Sequence, residues 1–131
     1  MSYINNIKKI FLVDDEYDLA MLFKLGLELE GFIVDMFVDP LAALSFFKND
    51  YSSYDLALLD IKMPNLNGYE LCNEMVKIHN KIKICFITAF DVQKEDLQTI
   101  PIDPNSILIL HKPISIKFMI QRLKEQKDSI R

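Results

Sequence analysis

Five short apolar runs recur along the chain, and a segment with helical spacing follows each of them. The runs cover Ile10–Val13, Ile33–Val38, Asp55–Asp60, Ile82–Ile87 and Ser106–Leu110. Continuous apolar runs of this length are typical of parallel strands that are covered on both faces. Parallel strands need crossover connections, which pack on the sheet and are right-handed. The pattern therefore predicts an open, doubly wound α/β domain.

Sequence signals at their ends mark the intervening helices. Asp39 is suited to cap a helix whose first residue is Pro40, and Gly31 is placed to end the first helix. Pro101 and Pro104 keep the fourth helix short, since proline cannot occupy a helix interior. The predicted helices are Tyr17–Glu30, Pro40–Lys48, Tyr69–His79, about Val92–Thr99 and a final one marked by Ile116, Met119, Ile120 and Leu123.

The first helix has more apolar residues than one buried face requires. The predicted inner face contains Leu19, Leu22, Phe23, Gly26 and either Leu29 or Glu30. Met21 and Leu25 lie partly off this face, so they are either exposed contacts for a partner or covered by neighbouring side chains. The sequence leaves both possibilities open.

Composition limits the possible functions. With 131 residues, of which 50% are hydrophobic and 26% charged, the chain is long enough for one domain and its core. A net charge of -4 and scattered lysines argue against nucleic-acid binding by this chain alone. No secretion signal or membrane span is visible, and Cys72 and Cys85 are expected to be reduced core thiols. We therefore expect a cytoplasmic protein.

Polar side chains stand where four of the five strands end. Asp14 and Asp15 end the first strand, Asp60 the third and Thr88 the fourth, and Lys112 follows the fifth. In doubly wound sheets the ligand site forms outside the carboxyl ends of the strands. The sequence therefore predicts that these five side chains meet at one edge of the sheet.

The chemistry of this group favours a hard cation. Three carboxylates repel one another unless a cation joins them, and an all-oxygen cluster suits Mg²⁺ or Mn²⁺. A carboxylate beside Mg²⁺, a hydroxyl and an ammonium group provides what phosphoryl transfer needs. Asp60 is then the nucleophile, while Thr88 and Lys112 bind the phosphoryl oxygens.

With these motifs the chain resembles a two-component response regulator receiver domain, similar to the stand-alone chemotaxis response regulators. The matching positions are Asp14-Asp15, Asp60 in Leu-Leu-Asp-Ile-Lys-Met-Pro-Asn-Leu-Asn-Gly, Thr88 in Ile-Thr-Ala, and Lys112-Pro113, within about Lys9–Leu123. The resemblance implies a flavodoxin-like, three-layer fold with five helices and a five-stranded parallel sheet of order 2-1-3-4-5. It also implies a cis peptide bond before Pro113.

The resemblance further implies how the site works. Asp60 would accept a phosphoryl group from a phosphohistidine of a histidine kinase or a histidine phosphotransfer protein. Asp15 and Asp60 would bind Mg²⁺ directly, Asp14 mainly through water, and the backbone carbonyl of Lys62 would complete the protein's ligands. The domain would catalyse only its own phosphorylation and dephosphorylation, so it is not expected to be an enzyme in the usual sense.

Three departures from the family pattern raise separate expectations. Ile109 replaces the aromatic residue that usually reports phosphorylation from the fifth strand. Residues 100–105, with two prolines, replace the usual Gly-Ala element and should stiffen that connection. Lys62 and Phe90, two positions after Asp60 and Thr88, flank the path of attacking water, and we predict that their bulk alters the lifetime of the acyl phosphate.

The organisation of the chain is expected to be simple. We predict a single receiver domain over residues 1–131, with a core of about 8–124 and no output domain, because few residues follow Leu123. The domain would then signal through contact with a downstream protein or serve as an intermediate in a phosphorelay, unless the sequence is a piece of a longer chain. We expect no direct contact with nucleic acid or membrane, and either a monomer or a homodimer that forms on phosphorylation.

Two other classes of protein share parts of this pattern. A magnesium-dependent phosphatase of the haloacid dehalogenase type also forms an aspartyl phosphate, but it needs an Asp-x-Asp pair, and position 62 is a lysine. A flavin-binding flavodoxin needs a hydroxyl- and glycine-rich phosphate loop after the first strand, where this chain has acids. The phosphatase is the stronger alternative.

Overall fold

The computed structural model describes residues 7–129, with side chains for residues 7–123. Five strands form one sheet in which all neighbouring strands are parallel, and their order is β2-β1-β3-β4-β5. The strands are β1 (Lys9–Val13), β2 (Ile33–Phe37), β3 (Leu56–Asp60), β4 (Lys83–Thr88) and β5 (Leu108–His111). The predicted doubly wound fold and its strand order are confirmed.

Helices connect the strands, and their ends follow the sequence signals closely. The helices are α1 (Tyr17–Leu29), α2 (Pro40–Asp50), α3 (Gly68–Ile78), α4 (Lys94–Gln98) and α5 (Ile116–Ser129). Asp39 accepts a hydrogen bond from the Leu41 N–H at the start of α2, as its capping role predicts. Gly31 has φ +99° just after α1, a backbone conformation that favours glycine.

The sheet separates two apolar cores because successive strand residues point to opposite faces. In β1, Phe11 and Val13 contribute to the core beneath α2, α3 and α4, whereas Ile10 and Leu12 contribute to the core beneath α1 and α5. Both faces are therefore covered. Cys72 and Cys85 are buried, one in each core, and neither forms a disulfide; burial raises the pKa of both thiols.

The buried face of α1 includes the predicted Phe23 and Leu19 but differs from the prediction at other positions. Ala20, Phe23 and Leu27 are fully buried against the sheet, while Leu22 and Leu29 are 56% and 88% exposed. The spacing i, i+3, i+7 of these residues fits the predicted helical period. A helix so rich in leucine has two apolar stripes with this spacing, and the stripe that contains the small Ala20 allows the helix to lie closer to the sheet. Leu25 is 53% exposed, so it is not covered by neighbouring side chains.

The sheet register places the predicted site. Val13 pairs with Leu59, so the acids that follow β1 and the acid that ends β3 emerge side by side. Thr88 pairs with His111, and the Lys112 N–H donates to the Thr88 carbonyl oxygen at 2.7 Å. The carboxyl ends of four strands thus converge on one edge of the sheet. Within the described residues, no helix has the length and apolar character needed to cross a bilayer.

Candidate functional site

Three aspartates meet at this edge as predicted. Asp14, Asp15 and Asp60 each present an oxygen, and these oxygens lie within 4.8 Å of one another. Asp14 is fully buried and Asp60 is 5% exposed, whereas Asp15 is exposed. Two of the three carboxylates are therefore withdrawn from water although they have the same charge, an arrangement that is costly without a cation.

Lys112 reaches into this cluster from the loop after β5. Its Nζ lies 3.0 Å from Asp14 Oδ2 and 3.6 Å from Asp60 Oδ2. The ammonium group also donates a hydrogen bond of 3.0 Å to Glu16 Oε1. Sequence reasoning missed Glu16, because an acid at a helix start is an ordinary feature and its partner is 96 residues away.

The electrostatics of the pocket act mainly on Asp60. Burial and the charge of Asp14 raise the pKa of Asp60 from 3.8 to about 7, although the nearby Lys112 opposes this shift. Burial disfavours the charged form of Lys112, but the carboxylates of Asp14, Glu16 and Asp60 more than compensate and raise its pKa. The single positive charge of Lys112 therefore does not neutralise the negative charges of the carboxylates around it. The pocket can accommodate a further positive charge.

The donor set fits a divalent cation that prefers oxygen. Asp14 Oδ2 is buried and receives no hydrogen bond from any described residue, although the Lys112 ammonium lies 3.0 Å away as an ion-pair partner. A buried carboxylate oxygen with an unused lone pair is the kind of atom that a Mg²⁺ ion, directly or through its water, would satisfy. Asp14, Asp15 and Asp60 are the residues that would hold the ion.

The remaining predicted residues surround a concavity of about 300 Å³ beside Asp60. Its lining residues are Asp15, Glu16, Asp60, Lys62, Ala89, Phe90 and Lys112. Thr88 is buried behind this wall, and its hydroxyl oxygen accepts a hydrogen bond of 3.0 Å from the Phe90 N–H. The Lys62 ammonium lies 4.5 Å from the centre of the Phe90 ring, which is a cation–π distance. These two side chains flank the mouth of the pocket.

The loop after β3 is held tightly against the backbone of Asp60. The Gly68 N–H donates to the Ile61 carbonyl oxygen at 2.7 Å. A Cβ atom at position 68 would collide with the Asp60 carbonyl oxygen and approach Ile61 Cα to 2.8 Å. Gly68 is the first residue of α3, and the close approach of two backbones is what requires a glycine there.

Ile109 occupies the position where the family usually has an aromatic side chain. It is half-buried in β5, pairs with Phe86 in the sheet and packs against the core beneath α2, α3 and α4. An aliphatic side chain in this setting has no ring to rotate between buried and exposed positions. The expectation of an altered switch therefore stays a prediction.

Comparisons with known proteins identify the family of this chain. The family model of the response regulator receiver domain matches residues 10–124. The response regulator RppA of a Synechocystis species is 30% identical over 116 residues, which are 88% of this chain and 49% of that protein. The CpxR homologue of Haemophilus influenzae, a transcriptional regulatory protein, is 36% identical over 117 residues, or 88% of this chain and 48% of that protein.

The chain spans about half the length of these curated relatives. Among solved structures, the CheY-like receiver domain protein of Methanospirillum hungatei is similar, with a TM-score of 0.78 and 26% identity, and the similarity covers 95% of this chain and 97% of that one. The family model covers nearly the whole sheet and every predicted site residue. The chain therefore belongs to the response regulator receiver domain family.

Proposed function

We propose that Asp60 is the phosphoacceptor of this receiver domain and that it reacts with a phosphohistidine on a partner protein. Aspartate phosphorylation with Mg²⁺ is general to the family that the sequence matches. The observation that supports the assignment to Asp60 is that Asp14, Asp15 and Lys112 converge on this one residue at the edge of the sheet. Asp60, the last residue of β3, also lines the concavity.

The residues of the chain divide the chemistry among them. A carboxylate oxygen of Asp60 attacks phosphorus, the phosphorus–nitrogen bond of the phosphohistidine breaks, and the imidazole leaves with the electron pair. Lys112 lies close enough to Asp60 to pair with a phosphoryl oxygen once one is attached. Mg²⁺, when bound, neutralises charge on the transferring oxygens.

Thr88 can contribute a hydrogen bond from the adjacent strand. Its oxygen already accepts from the Phe90 N–H, and within the described residues its hydroxyl proton is not donated to an acceptor. Rotation about one side-chain bond would direct that proton toward the pocket. We assign Thr88 the role of binding a phosphoryl oxygen, and we keep the Lys62 carbonyl as the proposed additional metal ligand.

The donor is a histidine kinase or a histidine phosphotransfer protein, and the exposed side of α1 is the proposed docking surface. Tyr17, Leu22 and Leu25 are 57%, 56% and 53% exposed there, beginning directly beside the pocket. Apolar side chains in such a cluster are suited to a protein partner. The downstream protein, a homodimer that forms on phosphorylation and a cytoplasmic location stay predictions.

Intact-mass spectrometry tests the proposal. The protein is incubated with acetyl phosphate and Mg²⁺, and the mass of one phosphoryl group is expected to be added to the wild type and not to Asp60→Asn. Omitting Mg²⁺ and adding EDTA should abolish the addition, because the clustered carboxylates then repel the anionic donor. Asp18→Asn, which alters an exposed acid in the first turn of α1, is the matched control and should be phosphorylated like the wild type. Phosphorylation of Asp60→Asn to the wild-type extent would refute the assignment.

A further inference from the structure

Glu16 has a contact that neither helix capping nor metal binding explains. It occupies the N-cap position of α1, but its side chain makes no capping hydrogen bond to the helix. Glutamate is also not among the side chains that cap helices well. Its carboxylate instead accepts a hydrogen bond of 3.0 Å from the Lys112 ammonium. The Glu16 side chain is 65% exposed, whereas the side chain of its partner Lys112 is only 10% exposed.

In the part of the chain that the structure describes, Lys112 has three acidic neighbours before any phosphoryl group arrives. Asp14 and Glu16 lie 3.0 Å from its Nζ, and Asp60 lies 3.6 Å away. Among the described residues, the Lys112 ammonium donates its hydrogen bond to Glu16, so a phosphoryl oxygen that binds this group competes first with Glu16. Asp14 is fully buried, and its carboxylate accepts a hydrogen bond from the Glu16 N–H, which holds it in place. Asp60 carries the phosphoryl group itself. Glu16 is the one neighbour that can move into water.

Charge favours the same choice. Phosphorylation of Asp60 replaces a single negative charge with a dianionic group next to Lys112. A carboxylate at Glu16 would then be close to that group and repelled by it. Since Glu16 is exposed, its hydration compensates for most of the lost ion pair.

Resting on the proposed function of Asp60, we propose that Glu16 is a positioning residue that holds Lys112 at the pocket and is displaced from it by the phosphoryl group. Before phosphorylation, the Glu16–Lys112 pair fixes the ammonium group over the acidic cluster. After phosphorylation, Lys112 binds the phosphoryl oxygen and the side chain at the start of α1 is released. The pair therefore connects the chemistry of Asp60 to the first turn of the proposed docking helix.

Beryllofluoride in the presence of Mg²⁺ provides a stable phosphoryl mimic for the test. Titration of Glu16→Gln is expected to show about twofold to fivefold tighter binding than the wild type, which corresponds to the loss of an exposed ion pair that competes with the mimic. Asp18→Asn removes the same charge from the same helical turn, and it should bind like the wild type. Weaker or unchanged binding by Glu16→Gln would overturn the proposal.

A double-mutant cycle distinguishes competition for Lys112 from a general charge effect. In a Lys112→Gln background, Glu16→Gln is expected to change the affinity for beryllofluoride much less than in the wild type. An equal fold-change in both backgrounds, or an equal effect of Asp18→Asn, would show that only net charge matters and would overturn the proposal. If the wild type neither binds beryllofluoride nor accepts a phosphoryl group, the proposed function and this inference fail together.

The carboxyl ¹³C chemical shift of Glu16 gives a second measurement that does not depend on the affinity of the lysine variant. On loading of the wild type with beryllofluoride, this shift is expected to move to the value found in free Lys112→Gln. A Glu16 signal that keeps its position on loading would show that the ion pair persists, which contradicts displacement.

Discussion

Replacing Asp60 with asparagine should stabilise the metal-free protein at pH 8 and change its stability little at pH 4. Burial and the charge of Asp14 raise the pKa of Asp60 in the folded state to about 7, whereas its ordinary value is 3.8. Between these two values the folded state holds a proton that the unfolded state has released. The free energy of unfolding of the wild type therefore falls as pH rises through this window, and above about pH 7 the full cost is present.

The size of the effect follows from the difference between the two pKa values. A shift from 3.8 to about 7 corresponds to about 4 kcal/mol, which is an upper limit. The pocket opens to solvent, and its effective dielectric constant is higher than that of a closed interior, so we expect a measured gain of about 1 to 3 kcal/mol. Asparagine has nearly the same shape as aspartate and no charge at any pH, so it avoids this cost without opening a cavity.

Mg²⁺ should reverse the order of stability. A ligand at about 100 times its dissociation constant stabilises the folded state by about 2.7 kcal/mol. Asp60→Asn lacks the charge that the ion would bind, so the gain should be largely confined to the wild type. At pH 8 with saturating Mg²⁺, the wild type should therefore equal or exceed the variant in stability.

Urea unfolding followed by circular dichroism measures these differences. The wild type, Asp60→Asn and the control Asp18→Asn are compared at pH 4 and pH 8, each with EDTA or with MgCl₂. The reasoning is refuted if Asp60→Asn is no more stable than the wild type at pH 8 in EDTA, or if its advantage is the same at both pH values. An equal response of Asp60→Asn to Mg²⁺ would show that the ion does not need this carboxylate.

Three further predictions concern the surroundings of the pocket. Gly68→Ala should slow phosphorylation of Asp60 by acetyl phosphate at least tenfold, because the added methyl group displaces the backbone of Asp60; a wild-type rate would contradict this. Lys62→Ala and Phe90→Ala should each change the half-life of the acyl phosphate, measured by loss of the added mass, because they remove the paired side chains at the mouth; unchanged lifetimes in both would exclude this role. Leu25→Glu should leave phosphorylation by acetyl phosphate intact and weaken transfer from a phosphohistidine protein, and equal transfer would place the docking surface elsewhere.

The strands and the edge where the site lies were predictable because they depend on local patterns. Each buried strand is a continuous apolar run, and the polar residue that ends it marks the edge of the sheet where the carboxyl ends of the strands lie. Asp14 and Asp60 could therefore be placed together without knowledge of distances. The helices were predicted to within a few residues at each end, since Asp39 and Gly31 act through their nearest neighbours.

Features that depend on contacts between distant residues were not predictable. Leu22 and Leu29 fit the helical period of α1, but the sheet selects the stripe that contains Ala20. Gly68 is required by the backbone of a residue eight positions earlier, and that approach exists only in the folded chain. The pairing of Glu16 with Lys112 also depends on residues far apart in sequence and could not be predicted. A glutamate at an N-cap is only a weak signal that the side chain has another role.

Chemical mapping of the phosphorylated residue tests the central claim most directly. The protein is phosphorylated with acetyl phosphate and Mg²⁺ and then treated with borohydride, which reduces an acyl phosphate to an alcohol and so converts the modified aspartate to homoserine. Tandem mass spectrometry of the resulting peptides should place homoserine at position 60, with Asp14 and Asp15 unchanged. Homoserine at position 14 or 15, or a phosphoryl group that resists reduction and remains on a hydroxyl or imidazole side chain, would contradict the account.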